Sequence, residues 1–150
     1  MKVVIQRVSK ASVTIDEKKV ANIKSGLLIL LGIVNEDNQE DISWLVRKII
    51  NLRIFNDENG VMNKSLIDVN GEVIVVSQFT LHASTKKGNR PSYIKAAKPN
   101  VAISLYKNFI STLEKETNQK VQTGEFGTDM KVELLNDGPV TIIIDSQNKE

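Results

Sequence analysis

A short polar segment follows an apolar run near the middle of the chain. The residues from Val73 to Val76 are aliphatic, and Ser77, Gln78, Phe79 and Thr80 come directly after them. Polar groups at the end of a buried strand must be hydrogen-bonded or functional. Hydroxyls and backbone N–H groups at such a point can bind a carbonyl group or stabilise an oxyanion. The alternative is that Ser77 and Thr80 only end the strand.

His82 is the only histidine, and it follows Thr80 by two residues. In an extended strand the two side chains share a face, so a Thr–His nucleophile pair is conceivable. No acidic residue lies nearby in the sequence to orient the ring. The pattern therefore favours a structural or surface histidine over a catalytic one.

Two glycine-containing segments near the C-terminus are further candidates. The segment from Asn136 to Pro139 has the composition of a turn between two strands, but a Gly-Pro bond can also be cis and hold a carbonyl group in a fixed direction. Such a carbonyl group would suit a steric gate. The segment from Gly124 to Met130 includes Phe126 and can form a flat apolar slot for a base, or simply a connection with two core residues.

The positive charge of the chain is concentrated in one stretch. No Asp or Glu occurs between Val73 and Leu113, although 6 of the 20 basic residues fall there: Lys86, Lys87, Arg90, Lys95, Lys98 and Lys107. A localised basic surface can hold phosphate groups. The ordinary alternative is a solvated loop and helix face.

The composition predicts one soluble domain spanning residues 1–150. The chain contains no cysteine, which excludes disulfides and thiolate chemistry, and the single histidine argues against a metal site. We therefore expect no cofactor and no metal. No apolar run is long enough to cross a membrane, and the first residues do not form a signal peptide, so we expect a cytoplasmic protein.

The hydrophobic pattern predicts a mixed, layered α/β domain with largely antiparallel sheets and two amphipathic helices. The first helix is predicted around residues 42–50, capped by Asp37 or Asn38, and the second begins near Pro99. Asn70-Gly71 predicts a hairpin between residues 65–69 and 72–78. No glycine-rich nucleotide-binding motif follows any predicted strand.

Four motifs together resemble the D-aminoacyl-tRNA deacylase family. They are Ser77-Gln78-Phe79-Thr80-Leu81, Lys87-Gly88-Asn89-Arg90-Pro91-Ser92, Phe126-Gly127 with Met130, and Asn136-Asp137-Gly138-Pro139-Val140-Thr141. The residues from Met1 to Val8 also resemble the start of that family. The resemblance covers nearly the whole chain in order, which is more specific than any one of the motifs.

The resemblance implies a barrel-like fold and a homodimer with active sites at the subunit interface. Its implied activity is hydrolysis of the ester between a D-amino acid, or glycine mischarged on tRNA-Ala, and the 3′-terminal adenosine of tRNA. Its implied partner is thus aminoacyl-tRNA, with no role for DNA or a membrane. This activity would proofread chirality in translation.

The resemblance also implies a role for each matching residue. Ser77, Gln78, Phe79 and Thr80 would form the ester site, with N–H groups of Phe79 and Thr80 near the scissile carbonyl. Gly138-Pro139 of the partner subunit would be a cis dipeptide that excludes L-amino acids, supported by Arg7. The pocket for the adenosine would be formed by Ala102, Phe126 and Met130. The basic stretch, and not the resemblance, provides Lys86, Lys87 and Arg90 as candidates for contact with the tRNA phosphates.

Two rival functions remain open at this point. One is a related editing deacylase with a different amino-acid selectivity, which would share the fold and differ in the residues that flank Gly138-Pro139. The other is a non-catalytic tRNA-binding module that uses the basic stretch.

Overall fold

The structure is a computed structural model that describes residues 1–150. Eight strands and two helices follow one another along the chain. They are β1 (Lys2–Ile15), β2 (Lys18–Ile23), β3 (Gly26–Gly32), α1 (Gln39–Asn51), β4 (Phe55–Asn56), β5 (Met62–Lys64), β6 (Glu72–Ser77), α2 (Pro99–Thr117), β7 (Gln122–Thr123) and β8 (Lys131–Asp145), with a 3-10 turn at Phe79–His82. Neither helix is both long enough and apolar enough to cross a membrane.

The main sheet has the strand order β2-β1-β3-β6-β7, and β8 pairs with β1. All pairs made by β1 are antiparallel, whereas β6 is parallel to both of its neighbours. The outermost strands β2 and β7 meet through the side chain of Gln122, which accepts the N–H of Asn22 at 2.7 Å and donates to its carbonyl oxygen at 2.8 Å. A side-chain amide thus nearly closes the sheet, which confirms the predicted barrel-like α/β fold.

The sheet separates two apolar cores. Val3 and Ile5 of β1 pack on the side of the helices, together with Leu45 of α1 and Phe109 of α2. Val13, further along β1, packs in the smaller core inside the barrel. Odd-numbered residues thus change sides along one strand. The pairing with β8 is irregular between Gln6 and Lys10, and such an irregularity shifts the alternation of side chains.

The first helix is capped by Asn38, one of the two predicted candidates, and its cap is a capping box. The side chain of Asn38 accepts the N–H of Glu40 at 2.8 Å, while the carboxylate of Asp41 accepts the N–H of Asn38 at 2.9 Å. Asp37, the alternative candidate, has another partner, because its carboxylate pairs with the buried α-amino group of Met1. The second helix begins at Pro99, also as predicted.

The predicted hairpin before β6 is wrong. Residues 66–70 form turns, and β6 pairs in parallel with β3 and β7. Asn70 does adopt the left-handed conformation, with φ of 51°. The sequence thus identified the turn residue correctly, but the turn does not join two paired strands. The physical reason is that β6 is apolar on both faces and is covered on both faces in the barrel, which a hairpin at the surface does not provide.

Of the two interpretations of residues 136–139, the simple turn is wrong. Strand β8 runs through this segment, and both of its halves pair with β1. The residues from Asp137 to Val140 bulge out opposite the single residue Arg7, because Gln6 pairs with Thr141 and Val8 pairs with Asn136. The peptide bond between Gly138 and Pro139 is cis.

Candidate active site

The polar segment after β6 turns sharply at the end of the sheet. The N–H of Gln78 still bonds to the carbonyl oxygen of Leu31 at 2.8 Å, which continues the pairing with β3. The chain then enters the 3-10 turn, whose first hydrogen bond runs from the N–H of Leu81 to the carbonyl oxygen of Gln78 at 3.2 Å. The N–H groups of Phe79 and Thr80 therefore have no acceptor within the turn. Two adjacent N–H groups of this kind can bind an oxyanion.

The hydroxyl group of Thr80 has an amide, not a base, as its partner. The side-chain nitrogen of Gln78 donates to Thr80 Oγ1 at 2.5 Å. Nε2 of His82 is buried and has no hydrogen-bond partner in the chain. A Thr–His nucleophile pair is therefore absent from this structure. An oxygen that accepts a hydrogen bond from an amide is a weaker nucleophile, because that bond draws electron density away from the attacking lone pairs.

Two cavities meet at the end of β6, and Ser77, Gln78 and Phe79 line both of them. The smaller has a volume of about 70 Å³ and is completed by Leu31, Ile33, Ala97, Ala102, Phe126 and Gly127. The larger, of about 250 Å³, extends along Thr128 to Met130 and Val132. The fold thus brings Ala102, Phe126 and Met130 to the polar segment, although they are distant in the sequence. Ile33 and Ala97 were not predicted, because nothing distinguishes them from ordinary core residues in the sequence.

Tyr106 of α2 supports the smaller cavity from behind. Its hydroxyl group donates to the carbonyl oxygen of Val75 at 3.1 Å, and its ring lies 5.8 Å from the ring of Phe126. Burial raises the pKa of Tyr106 to about 12, so that the hydroxyl group keeps its proton at neutral pH. The sequence indicated only an apolar role for this residue, since it falls on the buried face of α2.

Met130 has a fixed place because Gly124 leaves room for it. A Cβ atom at position 124 would lie 2.2 Å from the sulfur of Met130, closer than any atomic contact allows. The glycine is therefore required for Met130 to lie over this part of the chain and line the larger cavity.

Arg7 holds the bulge that contains Gly138. Its side chain is 7% exposed, and its Nε donates to the carbonyl oxygen of Asp137 at 2.7 Å. Its Nη1 donates to the carbonyl oxygen of Ile54 at 2.7 Å and to Oδ1 of Asn56 at 3.1 Å. A buried guanidinium with three acceptors is rigid, so Asp137 is held in a defined position.

A second side chain fixes the far side of the same bulge. Oδ1 of Asn136 accepts the N–H of Val140 at 2.7 Å, and its Nδ2 donates to the hydroxyl oxygen of Thr141 at 3.0 Å. Gly138 and Pro139 themselves are exposed. The structure therefore presents an exposed dipeptide on a rigidly held backbone.

Within one protomer, the bulge lies far from the polar segment. Ser77 is level with Leu31 and Val3 across the sheet, whereas Gly138 is opposite Arg7. Four residues along a strand span about 13 Å, and the three steps from β6 to β8 span about 14 Å, which together give a path of roughly 20 Å along the sheet. No residue of the bulge lines either cavity.

The basic residues of the predicted phosphate site are all exposed. Lys86, Lys87 and Arg90 lie in a loop closed by two backbone hydrogen bonds between Ser84 and Ser92, of 2.8 and 2.9 Å. This loop follows the 3-10 turn directly and therefore starts beside the two cavities.

The sequence matches the family model described as D-Tyr-tRNA(Tyr) deacylase over residues 4–145. The chain belongs to this deacylase family. A relative from Flavobacterium psychrophilum, named D-aminoacyl-tRNA deacylase, is 73% identical over 150 residues, which are 100% of both chains. Another of the same name from Christiangramia forsetii is 70% identical over 149 residues, or 99% of each chain.

Two solved structures are similar to this chain over nearly its whole length. The structure named c-Myc DNA Unwinding Element Binding Protein is 42% identical, with a TM-score of 0.91 over 97% of this chain and 98% of that one. A probable eukaryotic D-amino acid tRNA deacylase is 16% identical, with a TM-score of 0.82 over 95% of this chain and 97% of that one, which shows a shared fold.

Proposed function

We propose that this chain hydrolyses the ester bond of D-aminoacyl-tRNA and releases the D-amino acid and tRNA. The observation that carries the proposal is the pair of unbonded N–H groups at Phe79 and Thr80, beside two cavities that an aminoacyl-adenosine end would occupy. Relatives that are 73% and 70% identical bear the name D-aminoacyl-tRNA deacylase. The adenosine would bind among Ala102, Phe126 and Met130.

In the proposed reaction, water attacks the ester carbonyl and the bond to the ribose 3′ oxygen breaks. The N–H groups of Phe79 and Thr80 stabilise the negative charge that develops on the carbonyl oxygen. The proton lost by water passes to the departing 3′ oxygen, with help from the neighbouring 2′ hydroxyl group of the substrate. The aminoacyl ester is reactive enough that orientation and charge stabilisation suffice. This route assigns no nucleophile to the protein, in line with the hydrogen bond from Gln78 to Thr80.

Selectivity for D-amino acids would come from Gly138 and Pro139 of a second copy of the chain. These residues are exposed and are separated from Ser77 of their own protomer by a path of roughly 20 Å along the sheet. The proposed assembly is a homodimer in which each bulge reaches the partner's cavities. A backbone wall on one side of the substrate Cα rejects one enantiomer by steric clash and tolerates many D side chains. It does not reject glycine, so glycyl-tRNA is a second proposed substrate.

The proposed partner and location follow from the same chemistry. Lys86, Lys87 and Arg90 would contact the phosphates of tRNA near its 3′ end, and the activity would serve translation in the cytoplasm.

Parallel incubation with D-tyrosyl-tRNA, L-tyrosyl-tRNA and glycyl-tRNA tests the proposal. We expect rapid release of D-tyrosine and glycine and no acceleration with L-tyrosine. Preferential release of L-tyrosine would identify an editing enzyme of different selectivity. Binding of tRNA without any release would identify a non-catalytic module. Either result would overturn the proposed function.

A further inference from the structure

Three large apolar side chains form an exposed patch at the mouth of the site. Phe79 is 56% exposed, Tyr93 is 40% exposed and Ile94 is 88% exposed. The rings of Phe79 and Tyr93 meet edge to face, with centroids 5.0 Å apart and an interplanar angle of 78°. Contiguous exposed aromatic and aliphatic groups of this kind mark a surface that binds a partner.

The patch adjoins an exposed basic loop, which ends at Ser92 directly before Tyr93. Lys86, Lys87 and Arg90 lie on the loop that Ser84 and Ser92 close, and no acidic residue occurs between positions 73 and 113. A protein partner does not require such an excess of cations, but a nucleic acid does. Aromatic faces that alternate with cations are typical of surfaces that bind unpaired nucleotides.

The patch is also held in a defined position at the site. Phe79 lines both cavities and touches Tyr93, so the patch continues directly outward from the ester site. Beyond the patch, the N–H of Ala97 bonds to the carbonyl oxygen of Ile33 at 2.8 Å, and the N–H of Lys98 bonds to Oδ1 of Asn35 at 3.2 Å. The chain that follows the patch is thus attached to the segment directly after β3.

We propose that this patch binds the unpaired nucleotides that precede the terminal adenosine of tRNA. Their bases stack on Tyr93 and pack on Ile94, while their phosphates lie against the cations of the loop. The proposal rests on the proposed function, since the terminal adenosine must occupy the cavities for the preceding nucleotides to reach the patch. The patch would be a second binding region for tRNA, in addition to the cavities. It would tolerate different nucleotide sequences, because every base has a face that can stack.

The test compares two substrates in the Tyr93→Ala protein. One is D-tyrosyl-tRNA, and the other is D-tyrosine esterified to adenosine alone, which has no preceding nucleotides. We expect the ratio of kcat/KM for tRNA to kcat/KM for the adenosine ester to fall roughly ten-fold, as the loss of one stacked base predicts. Tyr93→Phe keeps the ring and should keep the wild-type ratio. Val61→Ser removes an exposed apolar side chain elsewhere and serves as the surface control.

A direct binding measurement separates this proposal from the proposed function. Fluorescence anisotropy with a short single-stranded RNA ending in CCA should show weaker binding to Tyr93→Ala and to Ile94→Ser than to wild type. If the wild type hydrolyses neither ester, the proposed function fails, yet this measurement still tests the patch.

Three outcomes would overturn the proposal. The first is an unchanged ratio and unchanged RNA binding in Tyr93→Ala. The second is an equal loss of kcat/KM on D-tyrosyl-tRNA and on the adenosine ester, which would make the patch part of the ester site. The third is a change in the oligomeric state of Tyr93→Ala, measured by light scattering, which would make the patch a contact between copies of the chain.

Discussion

Nε of Arg7 lies 2.7 Å from the carbonyl oxygen of Asp137, so a residue of the first strand holds the backbone directly before Gly138. The same guanidinium donates to the carbonyl oxygen of Ile54, which joins the bulge to the chain segment after α1. The proposed gate is thus supported by a buried side chain that does not itself reach the cavities.

Replacing Arg7 with Met should therefore loosen the gate and lower stability. Its buried backbone acceptors would lose their donor, at a cost of about 1–3 kcal/mol in the free energy of unfolding. Arg7→Lys is the matched control, because it keeps the positive charge but removes the guanidinium. One ammonium group cannot donate to the carbonyl oxygens of both Asp137 and Ile54 with the geometry of a guanidinium. Denaturant unfolding measures the loss of stability. The ratio of kcat/KM for D-tyrosyl-tRNA to kcat/KM for L-tyrosyl-tRNA measures the loosening of the gate, and we expect this ratio to fall. An unaltered ratio in a folded Arg7→Met protein would contradict the supporting role.

Hybrid dimers can show whether the gate acts across the interface. Gly138→Ala alone should lose the rejection of L-aminoacyl esters, since φ is 141° there and a Cβ atom would lie 3.0 Å from Nη2 of Arg7. Ala102→Trp fills the smaller cavity, and Ala102→Met is a milder substitute if that protein does not fold. In a purified hybrid dimer, the Gly138→Ala subunit contributes the one open cavity, and the Ala102→Trp subunit contributes the one intact gate.

The hybrid should recover the D-to-L ratio that the Gly138→Ala homodimer lacks. Two different affinity tags isolate the hybrid, and kinetics on D- and L-tyrosyl-tRNA give the ratio. If the ratio stays low in hybrids that are dimeric by light scattering, the gate does not act from the partner subunit.

Thr80→Ala should keep most of the deacylase activity, with kcat within about ten-fold of wild type. Removal of the hydroxyl group leaves the backbone N–H groups in place, and these stabilise the oxyanion in the proposed reaction. Single-turnover kinetics with D-tyrosyl-tRNA measure the effect. A folded but inert Thr80→Ala protein, together with an acyl adduct trapped on the wild type, would show that Thr80 is a nucleophile.

Gly124→Ala should displace Met130 and weaken adenosine binding. The added Cβ atom would overlap the sulfur, which would lie 2.2 Å away, and a flexible thioether can move at modest cost to stability. We expect KM to rise while kcat stays near its wild-type value, because the N–H groups at Phe79 and Thr80 are unaffected. Steady-state kinetics with D-tyrosine esterified to adenosine measure KM and kcat separately. A fall in kcat with unchanged KM would exclude this role for Met130.

Tyr106→Phe should destabilise the fold by about 1 kcal/mol at neutral pH, the typical contribution of one hydrogen bond. Burial raises the pKa of Tyr106 from 10.0 to about 12, so its contribution to stability is complete below pH 10 and is lost as the pH rises through about 12. The difference in unfolding free energy between wild type and Tyr106→Phe should narrow over that interval. Urea titrations at several pH values measure it, and a constant difference would contradict the assignment.

The local features of the fold could be predicted from the sequence because neighbouring residues produce them. Asn38 and Asp41 cap α1, Pro99 begins α2, and the apolar spacing of both helices indicates their buried faces. The polar residues after β6 were identified in the same way, since Ser77 interrupts an aliphatic run. The resemblance to the deacylase family depended on motifs of this kind.

The strand pairing, in contrast, depends on contacts between distant residues. Asn70 was correctly identified as a turn residue, but the partner of β6 is β3, 46 positions earlier, and no local signal specifies it. Similarly, residues 136–139 have turn composition but lie within a strand, because β1 offers pairing partners on both sides of the bulge.

The site itself is the product of tertiary structure. The sequence alone determined which residues have suitable chemistry, namely the hydroxyls, amide and N–H groups after β6. Only the fold decided that Phe126 and Met130 line the adjoining cavities, that Tyr106 supports Phe126, and that Gly138 lies far from Ser77 of its own chain. The reason is that side-chain chemistry is fixed by each residue, whereas proximity is fixed by packing the whole chain around one nearly closed sheet.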